Sequence, residues 1–365
     1  MYRIVVRRNA YSDSPTDYTI YSPSVADRGY VVFSPRLSEQ INKASSLSFV
    51  VPDTNPNYTQ ITPFSGIVIV FDDDEIIFWG RVVSAERDFY RQKFVECEGV
   101  LAFLNDLILR PATVSGTLSG YVVDLLQQYR NVVPNERMIL PGAFPSGNVA
   151  FERKNYETAL NELDDLRAEN GFLFRFVIDV QGEVEQLPFL YIDSSLNQEG
   201  AQDVIFARNL TDLSDLTSAE TFYSRMIPLG DSVDGETVTI KSVNSGNDWI
   251  EDASAVAAQG RVERIVQFQG ITSPSDLLTA AQAKLAADVG NARTLTISAV
   301  DLHLLDSSVQ RFEVGKLYHL ISAPHGYTET GGNNVFPLTK SEIDLADPSR
   351  SVYTFGEVKK TLTGG

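Results

Sequence analysis

Residues 66–81 read GIVIVFDDDEIIFWGR: an apolar run, four consecutive acids, a second apolar run. Two apolar runs parted by four polar residues predict a β-hairpin, with strands at Ile67–Phe71 and Ile76–Trp79 and Asp72-Asp73-Asp74-Glu75 as its tip. Tyr2–Val6 and Leu47–Val51 read as further short strands, the second closed by Pro52-Asp53. Lys93–Glu98 alternates, with Val95 and Cys97 on one face and Phe94, Glu96 and Glu98 on the other. That period of two predicts a half-buried strand and makes Cys97 a small core-facing hydrophobe. The first 110 residues are therefore strand-rich.

The period changes near Arg110-Pro111. Val122, Leu125, Leu126 and Tyr129 follow i, i+3, i+4, i+7, which predicts an amphipathic helix capped by Ser119. A second helix is predicted after Asn155, with Tyr156, Leu160, Leu163 and Leu166 on one face and Asn170-Gly171 as its stop. Glu162, Asp164 and Asp165 fall on its polar side. Phe172–Val180 and Leu187–Ile192 read as strands joined by a turn at Gln181-Gly182.

From about residue 215 the strand texture returns, at Met226–Leu229 and Thr237–Val243. One clear helix follows: Ser273 as cap, Pro274 at the first helical position, Asp276 in the first turn, and Gly290 at the end. Leu278, Ala281 and Leu285 form its predicted apolar face. Thr294–Leu305, Leu317–Ser322 and Val352–Phe355 complete the strands, the last entered through a turn at Asp347-Pro348. The texture is β region, α-containing insert, β region, α-containing insert, β closure.

Composition adjusts this picture in three ways. The 365 residues, 43% of them apolar, suggest two or three domains with sizeable cores. A single cysteine allows neither an intramolecular disulfide nor a cysteine-based zinc site. The net charge of −18 comes with no run of Lys or Arg beyond Arg3, Arg7 and Arg8, and a chain so acidic repels DNA more readily than it binds it. No stretch reaches the roughly 20 apolar residues of a membrane helix. MYRIVVRRNAYSDSPTD has no apolar core of a signal peptide, so export by the general secretory route is not expected.

Candidate chemistry is sparse. A calcium loop needs alternating ligands, a central glycine and a distant glutamate, and Asp72–Glu75 has neither the alternation nor the glycine. The quartet therefore reads as a solvated turn. His303 and His319 sit in strand-like runs and read as ordinary, partly buried histidines. His325 lies in the loop Ala323-Pro324-His325-Gly326-Tyr327, where function is more plausible, yet no nucleophile elbow, His-Glu-x-x-His or phosphate loop accompanies it. The 48 acidic residues leave a glycosidase-type pair open by composition alone. No catalytic, cofactor-binding or metal-binding residue is assigned, and no cofactor is expected.

Specific strings carry more than composition. Leu37-Ser38-Glu39-Gln40-Ile41-Asn42-Lys43 leads into Leu47-Ser48-Phe49-Val50-Val51-Pro52 and Asn55-Pro56-Asn57-Tyr58. Phe78-Trp79-Gly80-Arg81-Val82 and Cys97-Glu98-Gly99-Val100-Leu101-Ala102-Phe103-Leu104-Asn105-Asp106 follow. Later come Ile205-Phe206-Ala207-Arg208-Asn209-Leu210, Ile227-Pro228-Leu229-Gly230, Asp248-Trp249-Ile250-Glu251-Asp252 and Gly260-Arg261-Val262. Ala299-Val300-Asp301-Leu302, Val314-Gly315-Lys316 and Thr354-Phe355-Gly356 end the series. In this order they resemble the N-terminal hub region of phage tail tip proteins from Gram-positive hosts: the tail-associated lysins, or prophage endopeptidase tail proteins.

The resemblance implies a β-dominated α+β fold similar to the bell-shaped hub of contractile phage baseplates, with two tube-like β-barrel domains each carrying an inserted α/β domain. Residues 1–110 would form the first barrel and 111–210 its insert. Residues 211–245 with 293–365 would form the second barrel, and 246–292 its one-helix insert. The family implies a homotrimeric ring that closes the tail tube, contacts the distal tail protein, the tape measure protein and distal spike or receptor-binding proteins, and lets DNA pass unbound. Its place would be the tail tip of the virion, assembled in the host bacterial cytoplasm. In lysin members the enzymatic domain follows the hub. Thr361-Leu362-Thr363-Gly364-Gly365 falls close to where the hub should end, so the expectation is a structural protein and not an enzyme. Three rivals stand beside it: a tail-associated cell-wall peptidase or glycosidase, a receptor- or carbohydrate-binding tip module, and the hub of a phage-derived secretion or bacteriocin particle.

Overall fold

In the computed structural model, residues 1–9, 15–24, 28–64, 66–133, 137–180, 186–194, 196, 198–217, 222–233, 235–268, 270–290, 293–304, 306, 308–328 and 334–356 are described. The chain packs as two compact units. The first comprises Met1–Asp212 with Ile297–Phe355, and the second is built on Leu213–Thr296.

The first unit is organised by seven strands: β1 (Tyr2–Arg8), β2 (Thr16–Tyr21), β3 (Phe33–Gln40), β4 (Ser46–Val51), β5 (Ile67–Asp72), β6 (Glu75–Arg87) and β7 (Lys93–Gly99). Their order in the sheet is β3-β4-β7-β6-β5-β1-β2, every pairing antiparallel. Strand Val335–Asp344 extends the sheet beyond β3, with Ser341 opposite Glu39, and Val352–Gly356 lies outside it. Leu37, Leu47, Phe49, Val95, Cys97, Val68, Val70, Ile4, Val6 and Ile20 meet in one buried cluster to which, among the described residues, no α-helix contributes. These strands therefore cover one another, and the sheet wraps around its own side chains. Its path stays open among the described residues: the fold is β-dominated α+β with a large open sheet, and two separate closed barrels are not what the strand order describes.

The opposite face of the same strands carries the described elements between Leu107 and Asp193. Helices α1 (Leu118–Val132) and α2 (Ala159–Asn170) pack with the strand pair Ala112–Thr117/Asn148–Arg153 and with the antiparallel strands Leu173–Val180 and Gln186–Asp193. Their apolar residues join Val5, Ile67, Ile69, Phe71 and Trp79 in a second buried cluster. The stripe Val122, Leu125, Leu126 and Tyr129 is buried in it, as the spacing predicts.

Several local expectations shift. The cap of α1 is Thr117, whose hydroxyl accepts from Gly120 N at 3.1 Å, because Thr117 ends a strand in extended conformation while Ser119 is already helical. Likewise Thr158 caps α2 and accepts from Asn161 N, so Tyr156 precedes the helix and stands exposed. Gly171 closes α2 in the left-handed region at φ 71°, as predicted. Thr237–Val243 holds no continuous strand: pairing ends at Thr237, and the chain turns through Ser245 and Gly246, both at positive φ. Thr294–Leu305 stops as a strand at Ala299, after which Asp301 folds the chain into a short 3-10 turn at Leu302–Leu304. The turn at Gln181-Gly182, Leu305 and the terminal Thr361–Gly365 lie outside the described residues.

The second unit centres on strand Arg225–Leu229, paired antiparallel with Ile250–Glu251 and parallel with Glu263–Gln267. Helix Pro274–Gly290 covers it through Ala281 and Leu285, which meet Tyr223 and Met226. The third position of that face is Leu277 and not Leu278; 277, 281 and 285 keep the i, i+4, i+8 line. A short helix at Ala253–Gln259, capped by Asp252, was not legible in the pattern.

Candidate functional site

The acid quartet is built into its hairpin more tightly than a four-residue loop allows. Asp72 pairs with Glu75, leaving Asp73-Asp74 as a two-residue turn, and Asp73 takes the left-handed conformation at φ 51°. Asp is tolerated there because its short side chain satisfies local donors. The outer acids then belong to strands, and Asp72, opposite Tyr2 in the register with β1, is buried with its side chain 1% exposed.

Three groups converge on this turn. The Met1 ammonium donates to Asp72 Oδ1 at 3.1 Å and Asp73 Oδ1 at 2.6 Å. Burial works against the ammonium charge, but the bonds to Asp73 and Asp72 outweigh it and raise its pKa above the ordinary 8.0. The same bond holds the Asp73 carboxyl below its usual value. His303 Nε2 stands 3.5 Å from Asp72 Oδ2, and Arg311 Nη2 donates to Glu75 Oε1 at 3.0 Å. Both come from the segment that Asp301 folds. The buried Asp301 carboxylate accepts from Gln202 Nε2 at 2.6 Å, His303 N at 3.1 Å and Phe312 N at 3.0 Å. Asp72 and Glu75 are thus a docking point for residues some 230 positions away, a fact that no local pattern carries.

Two more charge nodes lie in this unit. Arg81 is buried and donates to Glu98 Oε1 at 2.7 Å and to Asp106 at 2.5 and 3.1 Å, with its guanidinium over the Phe103 ring. Burial opposes its charge; the bonds to Asp106 and Glu98 prevail and raise its pKa. Its partners lie in the string Cys97–Asp106, so two of the strings that carry the family resemblance meet at one ion cluster. Gly80 beside it is dictated by packing: a Cβ there would lie 2.3 Å from Glu98 O. The second node departs from the sequence reading. Glu162 is buried, 3% exposed, and takes both arms of Arg153, which also donates to Arg110 O at 2.7 Å. Only Asp164 and Asp165 remain on the solvent side of α2. Burial, with Asp165 adding to it, pushes the Glu162 carboxyl up to about 7.

A cleft of about 510 Å³ opens between the β5–β6 hairpin and strand Leu173–Val180, with Arg175, Arg311, Lys316 and Glu313 among its walls. Its charges are largely spent on each other: Arg175 on Asp193 at 2.8 Å, Lys316 on Glu313 at 2.8 Å. Among the histidines, His319 lies on strand Leu317–Ile321 as expected, while His303 sits in a 3-10 turn. His325 is exposed, and its Nδ1 lies 2.6 Å from Ser322 Oγ. That pair is three residues apart within one turn, and among the described residues no carboxylate is hydrogen-bonded to the imidazole as the orienting member of a triad would be.

Residues 197–364 match the family model described as prophage endopeptidase tail. The fold is similar to that of the 43 kDa tail protein of prophage MuSo2 from Shewanella oneidensis, with TM-score 0.63, 11% identity and 98% of both chains covered. It is also similar to the tail protein from Neisseria meningitidis MC58, with TM-score 0.62, 15% identity and 98% and 96% of the two chains covered. Prophage tail protein gp18 from Listeria monocytogenes EGD-e gives TM-score 0.59, 12% identity and coverage of 98% and 95%. No curated protein matches the chain by sequence. The resemblance to phage tail proteins drawn from the residue strings is thus shown, by family model over the C-terminal part and by fold over nearly the whole length.

Proposed function

We propose that the chain is a structural hub of a phage or prophage tail tip, three copies of which form a ring that closes the tail tube and seats the distal components. The observation that carries this reading is the fold likeness to prophage tail proteins from end to end, joined to the family match over residues 197–364. On this reading residues 1–110 are one tube-type β domain, and 211–245 with 293–365 are the other. Residues 111–210 and 246–292 are their inserts. The self-covering sheet of the first unit suits a tube wall, whose inner and outer faces need separate patterns. The trimer would contact the tail tube or distal tail protein, the tape measure protein, and spike or receptor-binding proteins, at the virion tail tip after assembly in the host cytoplasm. An acidic lining would repel phosphates and let DNA through, consistent with a net charge of −18.

Native mass spectrometry and negative-stain microscopy, with and without a tail-tube partner, test the ring. A trimer with a central opening is the expected result, and a strict monomer under every condition defeats the reading. A lumen lined mainly by Lys and Arg would defeat its electrostatic part.

The second reading is a tail-associated peptidase, favoured by the word endopeptidase in the family description and by the Ser322–His325 contact. Incubation with purified peptidoglycan, with and without zinc, separates the two. No soluble fragments are expected; fragments that vanish in His325→Ala would establish the enzyme instead.

A further inference from the structure

We propose that Asp72, Asp73 and His303 form a binding site for one divalent transition cation with the coordination preferences of zinc. One ligand atom from each lies within 4.8 Å of the others.

The tautomer of His303 starts the argument. Its Nδ1 is 2.6 Å from the carbonyl oxygen of Val309. A carbonyl only accepts, so Nδ1 carries the hydrogen. In the neutral ring, Nε2 then presents a lone pair, and 3.5 Å in front of it stands Asp72 Oδ2. Two acceptors face each other, and a cation is what such a pair lacks. A ring N–H donated to a backbone carbonyl, which leaves the other nitrogen free to ligate, is how metal-bound histidines are held.

The second, independent observation is Asp72 itself. Its side chain is 1% exposed, and Oδ2 is buried with no hydrogen-bond partner among the described residues. The Met1 ammonium neutralises the other oxygen, Oδ1, and leaves this one pointing at the imidazole. A buried carboxylate oxygen without a partner is costly, and natural folds keep few of them.

The spacing leaves room for a metal. A charge-assisted N–H···O bond closes to about 2.7–2.9 Å. Zinc holds nitrogen at about 2.0–2.1 Å and carboxylate oxygen at about 2.0–2.2 Å, so neighbouring ligands of a tetrahedral site stand about 3.3–3.5 Å apart. The observed 3.5 Å fits the second case. The ligand set fixes the class of ion. Imidazole with carboxylates suits zinc, cobalt or manganese, whereas magnesium and calcium take oxygen ligands throughout.

The fold holds the ligands from two directions. The left-handed turn at Asp73 places that carboxylate next to Asp72 at the end of β5. Asp301 accepts the His303 backbone N–H at 3.1 Å and fixes the 3-10 turn that aims the imidazole. A bound ion would tie the β5–β6 hairpin to the 301–312 segment, a structural clip independent of any reading of the tail assembly. The Met1 ammonium, now 2.6 Å from Asp73 Oδ1, is the cation with which the metal would compete.

The test is Co²⁺ titration of the EDTA-treated chain, followed by visible d–d absorption and by calorimetry. The expected result is one Co²⁺ per chain, displaced by Zn²⁺. His303→Gln and Asp72→Asn should each weaken binding by at least the roughly 10- to 100-fold that loss of an outer-shell partner costs. His319→Gln and Asp74→Asn should bind as the native chain does. Should Asp72→Asn fail to fold, judged by circular dichroism, the partly exposed His303→Gln decides alone. Absence of saturable Co²⁺ binding, or equal binding by His303→Gln, overturns the site. So does a nitrogen NMR spectrum showing His303 doubly protonated in excess Zn²⁺, which would make the contact a plain ion pair.

Discussion

Strands β5 and β7 lie two apart in one sheet, yet they were written differently. β5 reads IVIVFD, and all six residues are buried. β7 reads KFVECEG, with Lys93, Val95, Cys97 and Gly99 buried while Phe94 and Glu96 stand exposed. In β5, Ile67, Ile69 and Phe71 enter the cluster shared with α1 and α2, while Val68 and Val70 enter the cluster on the other side of the sheet. In β7, Val95 and Cys97 enter that latter cluster and the other face meets water. A continuous apolar run thus marks a strand covered on both sides, and alternation marks one covered once. Within one sheet, the run length reports where the insert sits.

The sharpest way to break this comparison is to cut the same side chain from both strands. Phe71→Ala opens a cavity under α1 and α2 and should cost about 3–5 kcal/mol in urea unfolding. Phe94→Ala, at a position 48% exposed, should stay within about 0.5 kcal/mol. Equal losses would mean that the outer face of β7 is covered after all.

The cover over β5 can be loosened without touching it. Arg153→Met leaves the Glu162 carboxylate buried without its partner, and breaking such a pair costs about 3–5 kcal/mol at pH 8. The double change Arg153→Met with Glu162→Leu should recover most of that loss, since an apolar pair carries no desolvation penalty. If the single and double variants melt together, the pair does not hold the insert.

A smaller effect follows from the same carboxyl. Its folded value of about 7 exceeds its ordinary 4.5, so the folded chain keeps a proton that the unfolded chain has released. That contribution is full below pH 4.5 and is lost as pH rises toward 7. Stability measured across this window should fall less in Glu162→Gln than in the native chain. The smallest signal tests the inner face of β7. Burial pushes the Cys97 thiol well up, so in the native protein it should resist a disulfide reagent and react only after unfolding.

Much of the fold was legible because periodicity records burial directly. The stripe of α1, strand β5 and the alternation of β7 read at nearly their observed bounds, while β6 runs on from the predicted Trp79 to Arg87. The cap of α1 lies two residues earlier than predicted, because Thr117 and Ser119 offer the same hydroxyl and only the entering strand decides between them, and α2 is capped three residues after Asn155, at Thr158. Glu162 was misread for a different reason. A helical wheel places it beside Asp165, but the partner that draws it inward, Arg153, arrives on another strand. Thr294–Leu305 reads as one strand through His303, and the break comes from Asp301 satisfying three donors at once. The company that His303 keeps with Asp72 was beyond any local window. Pattern gives burial, but charge partners are set by topology.

The seating of strand Val335–Asp344 beside β3 has a temporal consequence. Ser341 and Glu39, hydrogen-bonded at 3.3 Å, are 302 residues apart in the chain. As synthesis proceeds, β3 can pair with β4 almost at once, but its other edge has no mate until that distant strand emerges. For most of translation the nascent sheet thus exposes a row of unpaired backbone donors and acceptors, which invites pairing with neighbouring nascent chains. Contacts of such sequence separation also form slowly, because loop closure must precede them. Polar residues on that edge, Ser38, Glu39 and Gln40, are what a chain needs to stay soluble while it waits.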